Sequence, residues 1–472
     1  MQNNVVENKM GVMKIPKLLY STSIPIIISM LVQALYNIVD SIFVSRFDKI
    51  AGTGALTAAF PVQNLMIALS VGLAVGTNAL LSRSLGQKNH EKASLVAGQG
   101  FLLTAAGYLV FLLFGLFLLK PYVSSQTGDE ALLYQYSMDY LSVICICSFG
   151  VFIQVVAERL LQATGRSVLS MVVQLSGAVV NIVLDPILIF GYFGIPEMGV
   201  KGAAVATVIG QCVAAVVGIA LNLIFNKDIR FRLKSFIPKP NLLGEMLTIG
   251  VPSVLMQAIG SVMTFCMNKI LFSFSLEAMN VFGVYFKLQS FIFMPIFGLT
   301  NGMIPIVAYN YGAKNKKRVV ATIKLSALTA VSYMFLGLLA FQFLPTVLLG
   351  FFNASSLMIQ IGKKALRTIS LSFVFAGFAI VSSSACQALG KSMYSLFLSI
   401  GRQLVVLIPA AFLLSLLGKA DFVWWAFPIA EIMSVILAAV FLVHVMKHSF
   451  TDEHVDKSSE SEEAESVLTM QG

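Results

Sequence analysis

Long apolar runs separated by short polar breaks follow one another from Ile15 almost to the C-terminus. A helix needs about 20 apolar residues, each rising 1.5 Å, to cross the hydrocarbon of a bilayer. Runs of that length lie at roughly 15–44, 53–81, 94–119, 132–157, 168–193, 201–225, 245–272, 280–308, 320–345, 358–384, 396–417 and 422–446. They are too long and alternate too little for the strands of a membrane barrel. The pattern therefore predicts an all-α polytopic membrane protein with twelve spans. The first run follows a polar tail and has no small-residue cleavage site, so it is expected to persist as a span.

The pattern is also written twice. AFPVQNLMIALSVGLAVGTNALLSRSLGQKN at 59–89 overlays YFKLQSFIFMPIFGLTNGMIPIVAYNYGAKN at 285–315 at an offset of 226, matching Gly72 to Gly298, Gly76 to Gly302 and Gly86 to Gly312. LQATGRS at 161–167 overlays CQALGKS at 386–392 at 225, and SIPIII at 23–28 falls near GVPSVL at 250–255. Each repeat thus holds six spans and re-enters the membrane in the same sense. Two six-helix bundles related by a pseudo-two-fold axis follow, a transporter plan with substrate and ion sites expected near the bundle interface. The expected division is a tail over 1–14, an N-lobe over 15–225, a basic linker over 226–244, a C-lobe over 245–446 and an acidic tail over 447–472, expected to be disordered.

Composition agrees with the membrane reading: 57% of residues are hydrophobic and 11% charged, against about a quarter charged in soluble domains. With the N-terminus inside, the inner segments hold 22 Lys and Arg, Arg402 among them, and the outer ones 9. The positive-inside rule then predicts both termini in the cytoplasm. The net charge of +10 reads as topology and attraction to anionic lipid, and no nucleic-acid partner is expected. The cysteines Cys145, Cys147, Cys212, Cys266 and Cys386 all lie in apolar runs and read as small core residues. ALGKS lacks the glycine that a phosphate-binding loop needs at position 385.

Ionisable residues at membrane depth are expensive and mark function by default. The candidates at membrane depth are Asp40, Asp185, Lys287 and Glu431, with Glu158 at a span end. Gln33, Tyr36, Asn37 and Asp40 are spaced i, i+3, i+4, i+7, and Gln174, Asn181 and Asp185 i, i+7, i+11. Each set shares one helix face, and the two acids fall at similar depth. Pro186 leaves the Ile182 carbonyl without its helical donor, which adds an oxygen beside Asn181 and Asp185. Such oxygens suit a small hard cation or a proton. The alternative is that Asp40 and Asp185 are structural glue. Glu431 and Lys287, with no partner at helical spacing, favour a structural reading, and Glu158 beside Arg159 a surface pair. A charge lock between Lys287 and an N-lobe acid is the functional alternative.

These features resemble the multidrug and toxic compound extrusion (MATE) transporters: the doubled six-helix unit, the acid in YNIVDSIFV, the motif NIVLDP, and the QATGRS and QALGKS turns. The resemblance runs to about residue 446, within the DinF-type branch and closest to MepA-like members. It implies a secondary antiporter of the cell membrane that exports lipophilic, mostly cationic compounds in exchange for protons or sodium ions by alternating access. Asp40, Asn181 and Asp185, with Asn37, would handle the coupling ion, and would be the metal ligands if that ion is sodium. Gln33, Tyr36, Gln63, Gln174, Lys287 and Gln289 would face the substrate cavity, with Met30, Met66, Met256, Met263 and Phe291 as adaptable apolar walls. No cofactor beyond the coupling ion and no enzymatic activity is implied, and the expected working unit is a monomer. A lipid-linked saccharide flippase is the close alternative, although Lys287 is the sole basic residue within a span available for a pyrophosphate. A membrane-embedded enzyme would need a nucleophile with its base or a metal cluster. The four histidines, His90, His444, His448 and His454, form none.

Overall fold

In a computed structural model, the protein is described over residues 8–48, 50–128, 130–352 and 356–450. The acidic tail beyond 450, with its expected disorder, lies outside the described residues. Ten helices are long and apolar enough to cross a membrane, and two bent pairs raise the number to twelve. They are α1 (Ile15–Phe47), α2 (Ala51–Gly86), α3 (His90–Thr127), α4 (Ala131–Ile146 with Phe149–Ala163), α5 (Ser167–Phe190) and α6 (Gly199–Phe225). The second set is α7 (Pro240–Phe272), α8 (Leu276–Gly312), α9 (Lys316–Phe343), α10 (Ser356–Ser370 with Phe373–Ala388), α11 (Ser392–Ser415) and α12 (Ala420–Ser449). No strand occurs among the described residues.

The two halves repeat in detail. α4 and α10, expected as single spans, bend by 46° and 48°. At each bend a serine hydroxyl takes up a carbonyl three residues back: Ser148 donates to Cys145 O at 2.9 Å and Ser372 to Ile369 O at 2.6 Å. Such local bonds let a helix break without leaving a buried carbonyl bare. The ATGRS and ALGKS turns place Gly165 at φ 79° and Gly390 at φ 77°, a left-handed conformation that favours glycine. Two π-helical segments, Phe114–Leu118 in α3 and Gly401–Leu407 in α11, were not legible in the apolar pattern and have no counterpart in the other repeat.

The lobes meet along a seam of small residues. A Cβ on Gly76 would lie 2.3 Å from Met246 O, and one on Gly302 would lie 2.8 Å from the Ser23 Cα. Gly72 faces Val254 as Gly298 faces Ile27, and Gly86 approaches Tyr309 O as Gly312 approaches Arg83 O. The glycines recur at an offset of 226, and their partners Val254 and Ile27 at 227, Tyr309 and Arg83 at 226, and Gly250, 3.3 Å from the Gly76 Cβ, and Ser23 at 227, so the seam itself obeys the pseudo-two-fold axis. Glycine lets two helix backbones approach where any side chain would hold them apart.

The seam is one-sided. α2 is buried at every residue from Gly72 to Ser82, and α8 from Gly302 to Gly312. Over their other halves only one face is buried, at Ala55, Ala59, Val62 and Met66 in α2 and at Val281, Tyr285 and Leu288 in α8. The lobes are therefore closed on the side of the linker and parted on the far side.

On the linker side Met10, fully buried, packs with Leu80, Leu81, Leu160, Met246 and Tyr309 from both lobes. Asn310 Nδ2 donates to Met10 O at 3.1 Å, and Arg318 Nη2 to Met10 O and Met13 O at 3.0 and 2.8 Å. The linker is also held: Gln99 Nε2 donates to Ser235 O and Ile237 O at 2.8 Å, and Gln99 Oε1 accepts from Lys239 N at 2.9 Å. Lys92 of α3 pairs with Glu245 of α7 at 3.2 Å across the seam.

Gly76→Val and Gly302→Val should each destabilise the closed seam by about 1–3 kcal/mol through overpacking. A thermal melt of the purified protein would show this, and melting unchanged from wild type would mean that the seam accommodates a Cβ.

Candidate functional site

The best-formed polar cluster lies inside the N-lobe, where α1 and α6 both pack on α5. Gly177 of α5 and Gly210 of α6 permit that approach: a Cβ on either would lie 2.9 or 2.7 Å from the other's carbonyl oxygen. Asp185 is fully buried, Asn181 and Asp40 nearly so. Asn181 Nδ2 donates to Asp185 Oδ1 at 3.1 Å and to Thr207 Oγ1 of α6 at 3.3 Å. Pro186 lies within one unbroken helix, so its missing N–H bares the Ile182 carbonyl one turn below the acid. Asp40 is close enough for its charge to act on Asp185.

Three buried oxygens of this cluster have no hydrogen-bond partner: Asp40 Oδ1, Asn181 Oδ1 and Asp185 Oδ2. A buried polar atom left without a partner costs about 1–3 kcal/mol, and more when charged. Three on two carboxylates and an amide form a donor set suited to a hard cation or a shared proton. Among the described residues no group of three or more His, Cys, Asp or Glu is placed to hold a metal ion. Any metal held here would rely on the amide as well as the two acids.

Next to Asn181 lies a cavity of about 20 Å³ lined by Tyr36, Gln154, Gln174, Thr207 and Gln211 among others, room for about one water molecule. Gln154 Nε2 donates to both Gln174 Oε1 and Glu158 Oε1 at 2.9 Å. Gln63 Nε2 donates to Tyr140 Oη at 3.0 Å, and Tyr36 and Tyr140 lie within electrostatic range of both aspartates. A larger open concavity of about 560 Å³ runs along Val331, Phe335, Leu336 and Val374 of α9 and α10. It is apolar, lies away from this chemistry, and reads as a groove against lipid.

Several expected residues are placed otherwise. Asn37 is exposed, outside the buried cluster, and Gln33 is half-buried one turn before Tyr36. Gln289, the repeat mate of Gln63, is half-buried and makes no side-chain hydrogen bond among the described residues. Lys287 is exposed; its Nζ sits 5.9 Å from the Phe352 ring and meets no carboxylate among the described residues. The charge lock with an N-lobe acid is therefore not formed. Met66 and Met263 belong to the lobe cores, whereas Met30 and Met256 are half-buried and Phe291 is exposed.

The surface pair of Glu158 and Arg159 is also corrected, because α4 runs on to Ala163, buries Arg159 and leaves Glu158 half-buried against Gln154. They do not pair with each other. Arg159 is 8% exposed and donates to Gln162 Oε1 at 2.9 Å and, across the seam, to Asn301 Oδ1 at 3.0 Å. Glu431 does have a partner, on another span: Arg402 Nη1 donates to its Oε1 at 2.8 Å. Arg402 thus belongs to the membrane-embedded part of α11 and leaves the inner-side charge count. Gln154 and Thr207 were missed because each is a lone polar residue in an apolar run, and Tyr140 because it stands among other polar residues, Ser137, Asp139 and Ser142. An intramembrane amide four residues before Glu158 was the available signal for Gln154.

The family model MatE matches residues 25–187 and 252–413, one stretch in each lobe. "Multidrug export protein MepA" of Staphylococcus haemolyticus (strain JCSC1435) is 26% identical over 437 residues, 93% of this chain and 94% of its own length. The protein of the same description from Staphylococcus aureus (strain bovine RF122 / ET3-1) is 26% identical over 429 residues, covering 91% and 93%. The fold resembles a solved structure described as the outward-facing conformation of a multidrug resistance MATE family transporter of the MOP superfamily. The TM-score is 0.86 at 23% identity, with 94% of this chain and 98% of that one covered.

Arg159→Met should cost about 1–3 kcal/mol, since it leaves the Asn301 and Gln162 oxygens without their donor. Lys287→Met, at an exposed position, should stay within about 0.5 kcal/mol of wild type. Parallel thermal melts compare the two, and equal shifts would contradict the buried placement of Arg159.

Proposed function

The chain belongs to the MatE family, and from that premise we propose that it is a secondary multidrug antiporter exporting lipophilic, mostly cationic compounds in exchange for a proton or a sodium ion. The observation that carries the ion-coupling half of this reading is the trio of unpartnered buried oxygens on Asp40, Asn181 and Asp185. Two carboxylates buried within each other's electrostatic range do not both stay charged without a proton or a cation between them. Sodium fits the set as a hard ion taking the two carboxylates, the amide oxygen and the Ile182 carbonyl. A proton fits it as a donor shared between the acids.

The ion's effect on the lobes runs through α1. That helix carries Asp40 toward the far side and Ser23 and Ile27 in the seam on the linker side. Loading the acids draws α1 toward α5 and so bears on the grip of Ser23 on the Leu299 carbonyl, a 3.2 Å bond across the seam. Alternating access follows if that grip is released in one state and kept in the other. With both chain ends in the cytoplasm, as the excess of inner Lys and Arg supports, the parted far side faces outward. Drug and ion then compete for the N-lobe, each favouring the orientation in which it leaves.

Ethidium efflux from proteoliposomes under an imposed sodium or pH gradient tests this reading. Wild type should respond to one of the two gradients, and Asp185→Asn should lose that response by at least about tenfold. Gradient-driven efflux by Asp185→Asn at the wild-type rate would remove Asp185 from the coupling site, and efflux indifferent to both gradients would remove the antiporter reading.

A further inference from the structure

The C-lobe contains a partly buried ion pair, with Glu431 nearly enclosed and Arg402 a quarter exposed, that the N-lobe reading leaves without a role. Arg402 of α11 donates to Glu431 Oε1 of α12 at 2.8 Å, while Glu431 Oε2 is buried with no partner and Ser434 Oγ, one turn on, is also unpartnered. Breaking such a pair strands a charge, yet an ion pair inside a lobe is seldom the most stable filling for that space. The pair therefore calls for an explanation from its position.

The internal repeat supplies one. Arg402 stands twelve residues after Gly390 in its left-handed turn, as Gly177 stands twelve after Gly165. Glu431 stands eighteen residues before Ser449 at the end of α12, as Thr207 stands eighteen before Phe225 at the end of α6. Gly177 and Thr207 both line the small N-lobe cavity beside Asn181. The C-lobe thus puts a guanidinium and a carboxylate where the N-lobe has a cavity and a hydroxyl. α11 accommodates the longer side chain at its π-helical segment Gly401–Leu407, which α5 lacks; such insertions recur where a helix re-aims a functional side chain.

We propose that Glu431 is the carboxylate of a cation site in the C-lobe, the repeat-related counterpart of the N-lobe site, and that Arg402 is a tethered cation that fills it permanently. The C-lobe is then fixed in its cation-bound form and exchange with solution is left to the N-lobe. This rests on the N-lobe reading for its meaning, but not for its test. The groups facing Glu431 are few: Arg402 from α11 and Tyr285 from α8, which lies within electrostatic range. The second half of α10 packed against α12 offers only Cys386, near its linker-side end. Asp421, at the start of α12, is paired with Lys364 at 2.6 Å.

The test counts cations bound by the purified full chain, using radiolabelled sodium in equilibrium dialysis and, for protons, a titration between about pH 3 and 9, which covers ordinary carboxylates and those raised by burial. Arg402→Gln should bind one more cation per chain than wild type. Arg402→Lys, which keeps a tethered charge, and Arg402→Gln/Glu431→Gln, which removes the carboxylate, should bind the wild-type number. A folded Arg402→Gln that binds the wild-type number overturns the proposal. If Arg402→Gln does not fold, Arg402→Gly is purified with millimolar guanidinium chloride. Recovery of folded protein supports a cation site at Glu431, and no recovery overturns it. Repeating the count in Asp185→Asn separates the two readings, because the cation gained through Arg402→Gln should persist there whether or not Asp185 couples transport.

Discussion

The structure turns on how closely two helix backbones approach across the lobe boundary. Gly76 against Met246 O and Gly302 against Ser23 leave no room for a Cβ, so the closed side is held by backbone contact over a narrow strip. In a bilayer no hydrophobic force drives apolar helices together, and close packing of small residues takes its place. Contacts of that kind are lost within an ångström or so of separation. The seam therefore closes fully or opens fully, the bistability that a transporter of two rigid lobes requires.

Against that symmetric frame the polar residues are asymmetric. The N-lobe keeps two acids, an amide and a small cavity together, whereas the C-lobe carries the Arg402–Glu431 pair at positions related by the repeat count. Arg159 joins the two lobes at the seam. It lies one residue after Glu158, which is linked through Gln154 to the cavity wall, and its own guanidinium reaches Asn301 in the other lobe. Polar groups buried in this way keep a helix in one register and one orientation, so the N-lobe interior is tied to the seam by directional bonds as well as by packing.

Much of this was legible in the sequence. The twelve spans follow from run length, and the repeat offset of 226 matched Gly72, Gly76 and Gly86 to the residues that share their role at the seam. Asp40, Asn181 and Asp185 were legible because a polar residue in a long apolar run stands out and helical spacing gives its face. Partners on other spans were not, since periodicity describes one helix at a time. Thr207 beside Asn181, Tyr140 beside Gln63 and Arg402 beside Glu431 all come from helices brought together only by the fold. The bends in α4 and α10 stayed hidden for a related reason: a serine that caps a break reads in sequence as any other small residue in a span.

The wedging of Met10 bears on how the molecule is built as well as on its finished form. Its carbonyl is held by Asn310 and Arg318, residues that leave the ribosome some 300 positions later. Chains are made from the N-terminus onward, so this early segment waits through the synthesis of eight spans before its socket exists. The linker side of the transporter is therefore sealed late in biogenesis, and until then the young N-lobe presents its seam surface to the membrane without its mate.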